Sequence, residues 1–428
     1  MRIDKVKLAD LNEGLLADHN REFNFLAETL TKNHIKVEQV IDKLRNLQIA
    51  IPSWALGTGG TRFGRFPGKG EPGSLEEKIE DIGLMHALNQ SSGAISLHIP
   101  WDIPKDTAAI KGLADELNIK FDAMNSNTFQ DQESQKGSYK FGSLCHTSKD
   151  VRDEAIAHNK EVIDYGIELG SDAITVWLAD GSNFPGQQNL KRAYERTLDS
   201  LTQIYAHMPA QWKLLLEYKP FEPNFYSTVV PDWGTSYSMV SEMGEKAYTL
   251  VDLGHHLPNT NIEQIVAILM MKGKLGGFHF NDSKYADDDI TVGSIKPYQL
   301  FLIFNELTEV MESNLWKRNP VPAWMIDASH NTKDPLEDLL QSVEAIKIAY
   351  AQSLIIDRES LWIAQEENDA VAAQEILQNA FRTDVRPLLA EARNQSGGSI
   401  DPLWAYRNLE VRKELEKERG SKVRSTGL

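Results

Sequence analysis

Four apolar runs of this chain each lead into a side chain that binds divalent cations. Glu217 closes Trp212–Tyr218 (WKLLLEY), Asp252 closes Ala247–Leu253, His279 closes Leu275–Phe280, and Asp327 follows Ala323–Ile326. Three carboxylates and one imidazole suit Mn2+, Co2+, Mg2+ or Zn2+. His255, Asp287 and Asp289 lie just beyond the second and third runs and can reach a second ion. With fewer protein ligands, that ion would keep positions open to water or substrate. Asp288 points away from both neighbours, because alternate residues of an extended segment face opposite ways. His256 reads as an orienting neighbour, and His330 likewise. Lys219 sits two residues past Glu217, on the same side of a strand. Its ammonium can stabilise negative charge developing on a substrate oxygen or pair with a ligating carboxylate, and both readings stand. Any one of these acids alone would read as a cap or a solvated loop; together they point to metal chemistry.

Ligands so far apart in sequence meet only if the chain brings several strand ends to one face. Val251–Asp289 shows how, because helically spaced apolar residues over Ile262–Met271 separate two of the ligand-bearing runs. The same alternation adds strands at Ile49–Trp54, Ala94–Pro100, Lys120–Asn125 and Ala173–Asp180. Helices are expected over Ser74–Asn89, Pro104–Leu117, Val151–Leu169, Leu190–His207, Ser236–Met243, Pro297–Met311 and Asp334–Asp357. Eight such units predict an α/β fold, a (β/α)8 TIM barrel with N- and C-terminal helical extensions and its site at the C-terminal strand ends. Residues 1–48, with helices at Leu8–Leu30 and Lys36–Leu47, form the N-terminal extension, 49–357 the catalytic barrel, and 358–428 the C-terminal extension. Within the last, Asp369–Phe381 and Thr383–Arg393 read as helices. The charged run Arg407–Arg419 reads as solvated helix or fraying tail, with no function attached.

Around the ligands, Trp54, His98, Asn125, Phe129 and Trp177 are expected to wall a pocket. Aromatic faces with polar groups between them suit a sugar, whose C–H faces are apolar and whose hydroxyls need partners. His98 can assist ring opening of such a sugar by moving a proton near neutral pH. The loop GTGGTRFGRFPGKGEPG over 57–73 has the wrong spacing for a phosphate-binding loop. Arg62, Phe63 and Phe66 in it can instead cover a substrate, in this site or in a neighbouring subunit's. The net charge of −17 disfavours nucleic acid and anionic membrane surfaces and draws in cations. No secretory leader and no apolar run of about 18 residues is seen, so a cytoplasmic location is expected. The single cysteine, Cys145, fits a reducing compartment and reads as a packing residue.

PSW before GTGGTRF, SLHIPWD, FDAMNSNTF, TVWLADGSNFPGQ, YSTVVPDWGT, VDLGHHLPNTNIE, GKLGGFHFNDSKYADDD and MIDASHN together resemble the broad-specificity L-rhamnose isomerases, within the xylose-isomerase-like barrels. The resemblance runs from about Trp54 to Asp384 and leaves both chain ends uncovered. It implies metal-dependent interconversion of L-rhamnose and L-rhamnulose, with other aldoses accepted, by hydrogen transfer between C1 and C2 of the ring-opened sugar. It places structural-metal ligands on Glu217, Asp252, His279 and Asp327, and catalytic-metal ligands on His255, Asp287 and Asp289, with room for one of these three to act through water. It implies Lys219 near the substrate's carbonyl carbons, two divalent ions per subunit with Mn2+ foremost, and a homotetramer in which the loop bearing Phe63 can enter the adjacent site. Catalytic roles are accordingly expected for Lys219, His98, Asp287 and Asp289. A ketose 3-epimerase on the same barrel and a non-catalytic sugar-binding protein are the alternatives. The epimerase would carry a second Glu where Asp327 stands.

Overall fold

The computed structural model describes residues 2–57, 68–133, 135–313, 317, 320–328 and 332–420. Ten strand segments form one parallel sheet that closes on itself. The first barrel strand, Ala50–Pro52, pairs with the second at Ala94–Ser96 and with the eighth at Ala323–Ile326. The second resumes at His98–Ile99, and the third is split into Lys120–Phe121 and Met124–Ser126. Ten segments thus make the eight expected staves, completed by Ala173–Val176, Lys213–Glu217, Ala247–Asp252 and Leu275–Phe280.

Register explains why the ligands converge. Glu217 lies opposite Leu250, Asp252 opposite His279, and His279 opposite Met325. Paired residues share a face, and so do residues two apart. Glu217, Asp252, His279 and Asp327 therefore all point inward. Below them Ala123, Ala173, Leu215, Leu250 and Ala323 fill the barrel interior. Phe278 and Phe280, facing away from His279, pack outward on Trp324 and Phe304, with ring centroids 5.7 and 5.9 Å apart. Each such buried ring contributes about 1.5–3 kcal/mol.

The outer helices follow the apolar spacing closely. Leu190–His207, Ile262–Met271 and Pro297–Met311 span the residues expected. The helix after the first strand, α3 (Leu75–Asn89), starts at Ser74, whose Oγ accepts from Glu77 N, while Gly73 N donates to Glu77 Oε2. The strand expected to reach Asp180 stops at Val176; Asp180 instead accepts from the backbone of Ser143 and Cys145 and stitches a loop. Cys145 is buried there, and its thiol is pushed up by burial and by Asp180, which suits a packing residue. The helix expected over Asp334–Asp357 breaks at Leu354, because Asp357 caps a new helix through Ser360 N.

The two extensions meet each other. Helix α1 (Lys5–Lys32) binds the C-terminal segment, with Asn12 Nδ2 donating to Gly398 O at 2.8 Å and Ile400 N to Asn12 Oδ1 at 3.0 Å. The charged run expected to be solvated helix or fraying tail is a helix, and it is docked rather than solvated. Helix α15 (Val411–Arg419) sets Arg419 on the buried Asp81 at 2.7 and 2.8 Å, and Arg412 on Asp334 at 2.7 and 2.8 Å. Gly70 at φ +70° lies against this helix, where a Cβ would come within 2.7 Å of Glu416 N. Alternating charge in that run hid the difference between solvated and docked arginines. Among the described residues, no single helix is long and apolar enough to cross a membrane.

Candidate active site

At the C-terminal mouth of the barrel, ligand atoms of Glu217, Asp252, His279 and Asp327 lie within 4.8 Å of one another. His279 Nδ1 stands 3.3 Å from Glu217 Oε1, 3.4 Å from Asp327 Oδ2 and 3.7 Å from Asp252 Oδ2. Atoms about 2.1 Å from a common ion are separated by about 3.0–3.4 Å in octahedral or tetrahedral geometry, so the ring is close to coordination size. Two of the three carboxylates have their other oxygen occupied. Asp252 Oδ1 accepts from Asn281 Nδ2 at 2.8 Å and Gly254 N at 2.7 Å, and Asp327 Oδ1 accepts from Trp54 Nε1 at 3.0 Å. Asp252 Oδ2 and His279 Nδ1 are buried and, among the described residues, without a hydrogen-bond partner. Buried polar atoms left this way are costly unless a ligand meets them. The site fits a divalent cation.

Asp252, His255 and Asp287 form a second group that shares Asp252 with the first. His255 Nδ1 lies 3.0 Å from Tyr218 O, which can only accept. In the neutral ring the hydrogen therefore sits on Nδ1, and the Nε2 lone pair faces Asp287 Oδ1, 3.3 Å away. His256 accepts from Tyr218 Oη at 2.6 Å beside this ring. Gly254 keeps the gap open, since a Cβ there would lie 3.2 Å from Asp287 Oδ1 and 3.3 Å from Asp252 Oδ1. Asp289 is absent from this group, which among the expected roles matches the ligand acting through water. It hydrogen-bonds Asp287 and lies outside the grouped ligand atoms. Asp288 turns away and accepts from Lys284 N and Tyr285 N. Lys219 Nζ meets Asp287 Oδ2 at 2.5 Å and Glu222 Oε2 at 3.7 Å, which realises the carboxylate-pairing reading.

Crowded, buried acids set the electrostatics. Burial pushes Asp252 up to about 7, with Asp287, Glu217 and Asp327 adding to it and His255 opposing. Burial and the neighbouring carboxylates also raise Asp289 well above the usual range. Burial disfavours charge on His255, but Asp252 and Asp287 outweigh it and lift the ring to about 10. His279 is lifted likewise, chiefly by Glu217 against burial. Glu217 falls to about 2, because His279 and His255 overcome its burial. Protons on the imidazoles supply the positive charge that a cation would bring.

The other half of the mouth is aromatic. His98 stacks on Trp101 with centroids 3.9 Å apart, Trp54 meets His98 edge-on at 5.5 Å, and Phe129 touches His98 and Trp177 at 5.6 and 4.8 Å. Trp101 belongs to the wall although only its place in SLHIPWD hinted at it. His98 differs from expectation: burial, with the charges of His158 and Lys78, drives it down to about 3, so it is a neutral imidazole at physiological pH. His98 Nδ1 and Trp177 Nε1 are buried without partners among the described residues, which suits sugar hydroxyls. Asn125 also differs, since its NH2 goes to Ser96 Oγ, Leu97 O and Ala123 O within the barrel. Beneath this wall the buried pair Lys78–Asp102, at 2.7 Å, holds Ser53 Oγ and His98 N through Asp102 Oδ2. Neither residue stood out in the sequence, because each is an ordinary charge on an ordinary helix or loop. Phe63, with Arg62 and Phe66, lies outside the described residues, and so does His330.

Residues 87–306 match the family of xylose isomerase-like TIM barrels. The chain is 52% identical to a "probable sugar isomerase" of Rhizobium meliloti (strain 1021) over 93% of this chain and 92% of the relative. It is 50% identical to a second "probable sugar isomerase", of Mesorhizobium japonicum, over 96% and 95%. Among solved structures an L-ribulose 3-epimerase superposes with a TM-score of 0.51 at 14% identity, over 77% of this chain and 99% of that one. At that identity the likeness speaks for the barrel alone.

Proposed function

Because the chain belongs to the xylose isomerase-like TIM barrel family, we propose that it is a sugar isomerase interconverting an aldose and its ketose at two divalent ions. The observation that carries this is the pair of ligand groups joined at Asp252. Glu217, Asp252, His279 and Asp327 would hold one ion, and Asp252, His255 and Asp287 the other. Such ions, when bound, polarise a sugar's carbonyl and acidify the neighbouring hydroxyl. Lys219, buried and charged beside Asp287, puts an ammonium where negative charge develops on a substrate oxygen. His98, neutral, offers a hydrogen bond or relays a proton during ring opening. Trp54, Trp101, Phe129 and Trp177 close on the sugar's apolar face and exclude water. Hydrogen then passes between C1 and C2.

L-rhamnose and L-rhamnulose are the proposed pair, with other aldoses accepted, Mn2+ the foremost ion and a homotetramer the assembly. These rest on the resemblance of VDLGHHLPNTNIE and GKLGGFHFNDSKYADDD, while the relatives' names support a sugar isomerase more broadly. The test is to strip the folded protein with chelator and restore Mn2+, Co2+, Mg2+ or Zn2+ singly, following L-rhamnose, D-allose and L-mannose. Metal-restored ketose formation is expected, fastest with L-rhamnose. Ketoses that change configuration at C3, with no aldose turned over, would replace the isomerase with a 3-epimerase.

A further inference from the structure

Asp287 and His255 sit on loops, so something must fix the acidic loop relative to the barrel. The loop closes on itself at the Asp282–Ile290 bridge, where the two backbones exchange hydrogen bonds of 3.0 and 3.1 Å. Asp282 Oδ2 also accepts from Ile295 N and Lys296 N at 2.7 and 2.8 Å. Its far stem is tied elsewhere. Thr291 Oγ1, two residues past Asp289, donates to Asp338 Oδ1, and Val292 N donates to Ser342 Oγ at 3.2 Å. Asp338 and Ser342 are one turn apart on helix α10 (Pro335–Leu354), so the stem lies along that helix. Lys333 Nζ completes the junction, 2.8 Å from Asp338 Oδ1 and 2.5 Å from Thr291 Oγ1.

Asp338 is 2% exposed, on a helix that contributes no ligand to either group. A buried carboxylate is expensive unless it is paired and hydrogen-bonded, and here both partners belong to one junction. The helix is also held from behind. Its N-cap Asp334 accepts from Arg412 twice and from Tyr406 Oη at 2.9 Å, so the docked C-terminal arm fixes the turn that carries Asp338.

We propose that Asp338 is a positioning residue for the second cation, acting through Thr291 to hold Asp287 against His255 and Asp252. The inference rests on the two-ion reading above and extends it to residues that touch neither ion. Groups that orient metal ligands typically change affinity by about 10–100-fold when removed. The effect is expected in the weaker binding step alone, because among the described residues no hydrogen bond of the junction reaches Glu217, Asp252, His279 or Asp327.

The experiment titrates Mn2+ into chelator-stripped wild type, Asp338→Ala, Asp338→Asn and Thr291→Val by calorimetry. Hydrogen–deuterium exchange is followed over residues 282–292. In Asp338→Ala and Thr291→Val the weaker binding step is expected to lose about 10–100-fold, the tighter step to stay unchanged, and the loop amides to exchange faster. Asp338→Asn, which keeps an acceptor oxygen for Thr291, should lie close to wild type. Two steps weakened together, or neither step weakened with loop exchange unaltered, would overturn the assignment. Should Asp338→Ala not fold, Thr291→Val carries the comparison, since it removes one hydroxyl and preserves volume. A wild type that binds fewer than two ions would sink the two-ion reading, and the junction would then be judged on loop exchange alone.

Discussion

The mouth of the barrel has two halves of opposite chemistry. Strands five to eight supply Glu217, Asp252, His255, His279, Asp287 and Asp327, which crowd charge into a space that wants a cation. Strands one to four supply Trp54, His98, Trp101, Phe129 and Trp177, which stack and stay neutral. Among the described residues they touch where the staves adjoin: Trp54 Nε1 donates to Asp327 at 3.0 Å, and Lys219 Nζ lies 5.2 Å from the centre of the Trp177 ring. One half can grip a carbonyl and its hydroxyl neighbour, and the other can cover the remainder of a sugar. If the halves are separable in this way, substitutions in the first should change metal affinity and substitutions in the second only substrate affinity.

The largest effect is expected at Asp252, the residue common to both ligand groups. Asp252→Asn keeps the Oδ1 acceptor for Asn281 and Gly254 but removes the charge. Activity should fall by about 10^3-fold or more, beyond the loss of a single stabilising donor, and added Mn2+ should no longer raise the melting temperature. The metal-free variant should melt no lower than the metal-free wild type, because a carboxylate pushed to about 7 by burial and like charge destabilises the fold when ionised.

This half of the site was largely legible in the sequence, because ligand chemistry depends on residue type and the strand ends could be counted. Glu217, Asp252, His279 and Asp327 needed only the barrel's periodicity to meet. What was not legible depends on side-chain direction. Asp289 is an acid like its neighbours, yet a backbone at φ +48° turns it onto Asp287. Asn125 looks like a pocket residue until its NH2 is seen bonded inside the barrel. Trp101 lies beyond the strand end in a loop, and only its stacking on His98 sets it in the wall. The arginines of Val411–Arg419 fell to the opposite error, since docked and solvated charges have the same composition.

Protonation gives the next effect in size. His255 holds its proton up to about 10 and Asp252 up to about 7, and both must release it to ligate an ion. Mn2+ affinity should therefore fall as pH falls from 8 to 5, by about tenfold per unit for each proton displaced, and more steeply below 7, where Asp252 joins. Both pKa values are raised in the fold, so the stability they confer on the metal-free protein is greatest at low pH and fades as pH rises through them. The melting-temperature gain from Mn2+ should accordingly grow from pH 5 to pH 8. Calorimetry in two buffers of different ionisation enthalpy would count the protons released. A pH-independent affinity would mean that neither group is a ligand.

The first contact between the halves sharpens the comparison further. Trp54→Phe keeps an aromatic ring in the wall but removes the hydrogen bond to Asp327 Oδ1. A carboxylate that loses an orienting donor should bind its ion about tenfold more weakly, with sugar KM rising less than metal affinity falls. If KM rose and metal affinity held, Trp54 would belong to the aromatic half alone.

The smallest effect is expected at the second contact, and it tests whether the halves communicate at all. Lys219 is held mainly by Asp287 at 2.5 Å, so the Trp177 ring adds only a cation–π contribution of about 0.5–1 kcal/mol. Trp177→Leu should therefore lower kcat by roughly 2–5-fold if it acts through the ammonium, whereas a wall residue acting on bound sugar raises KM with kcat unchanged. Combining it with Lys219→Met separates the two. An effect carried by Lys219 disappears once the ammonium is gone, while one exerted directly on the sugar adds in full. Additivity would leave Trp54–Asp327 as the single contact, among the described residues, through which the aromatic half influences the charged one.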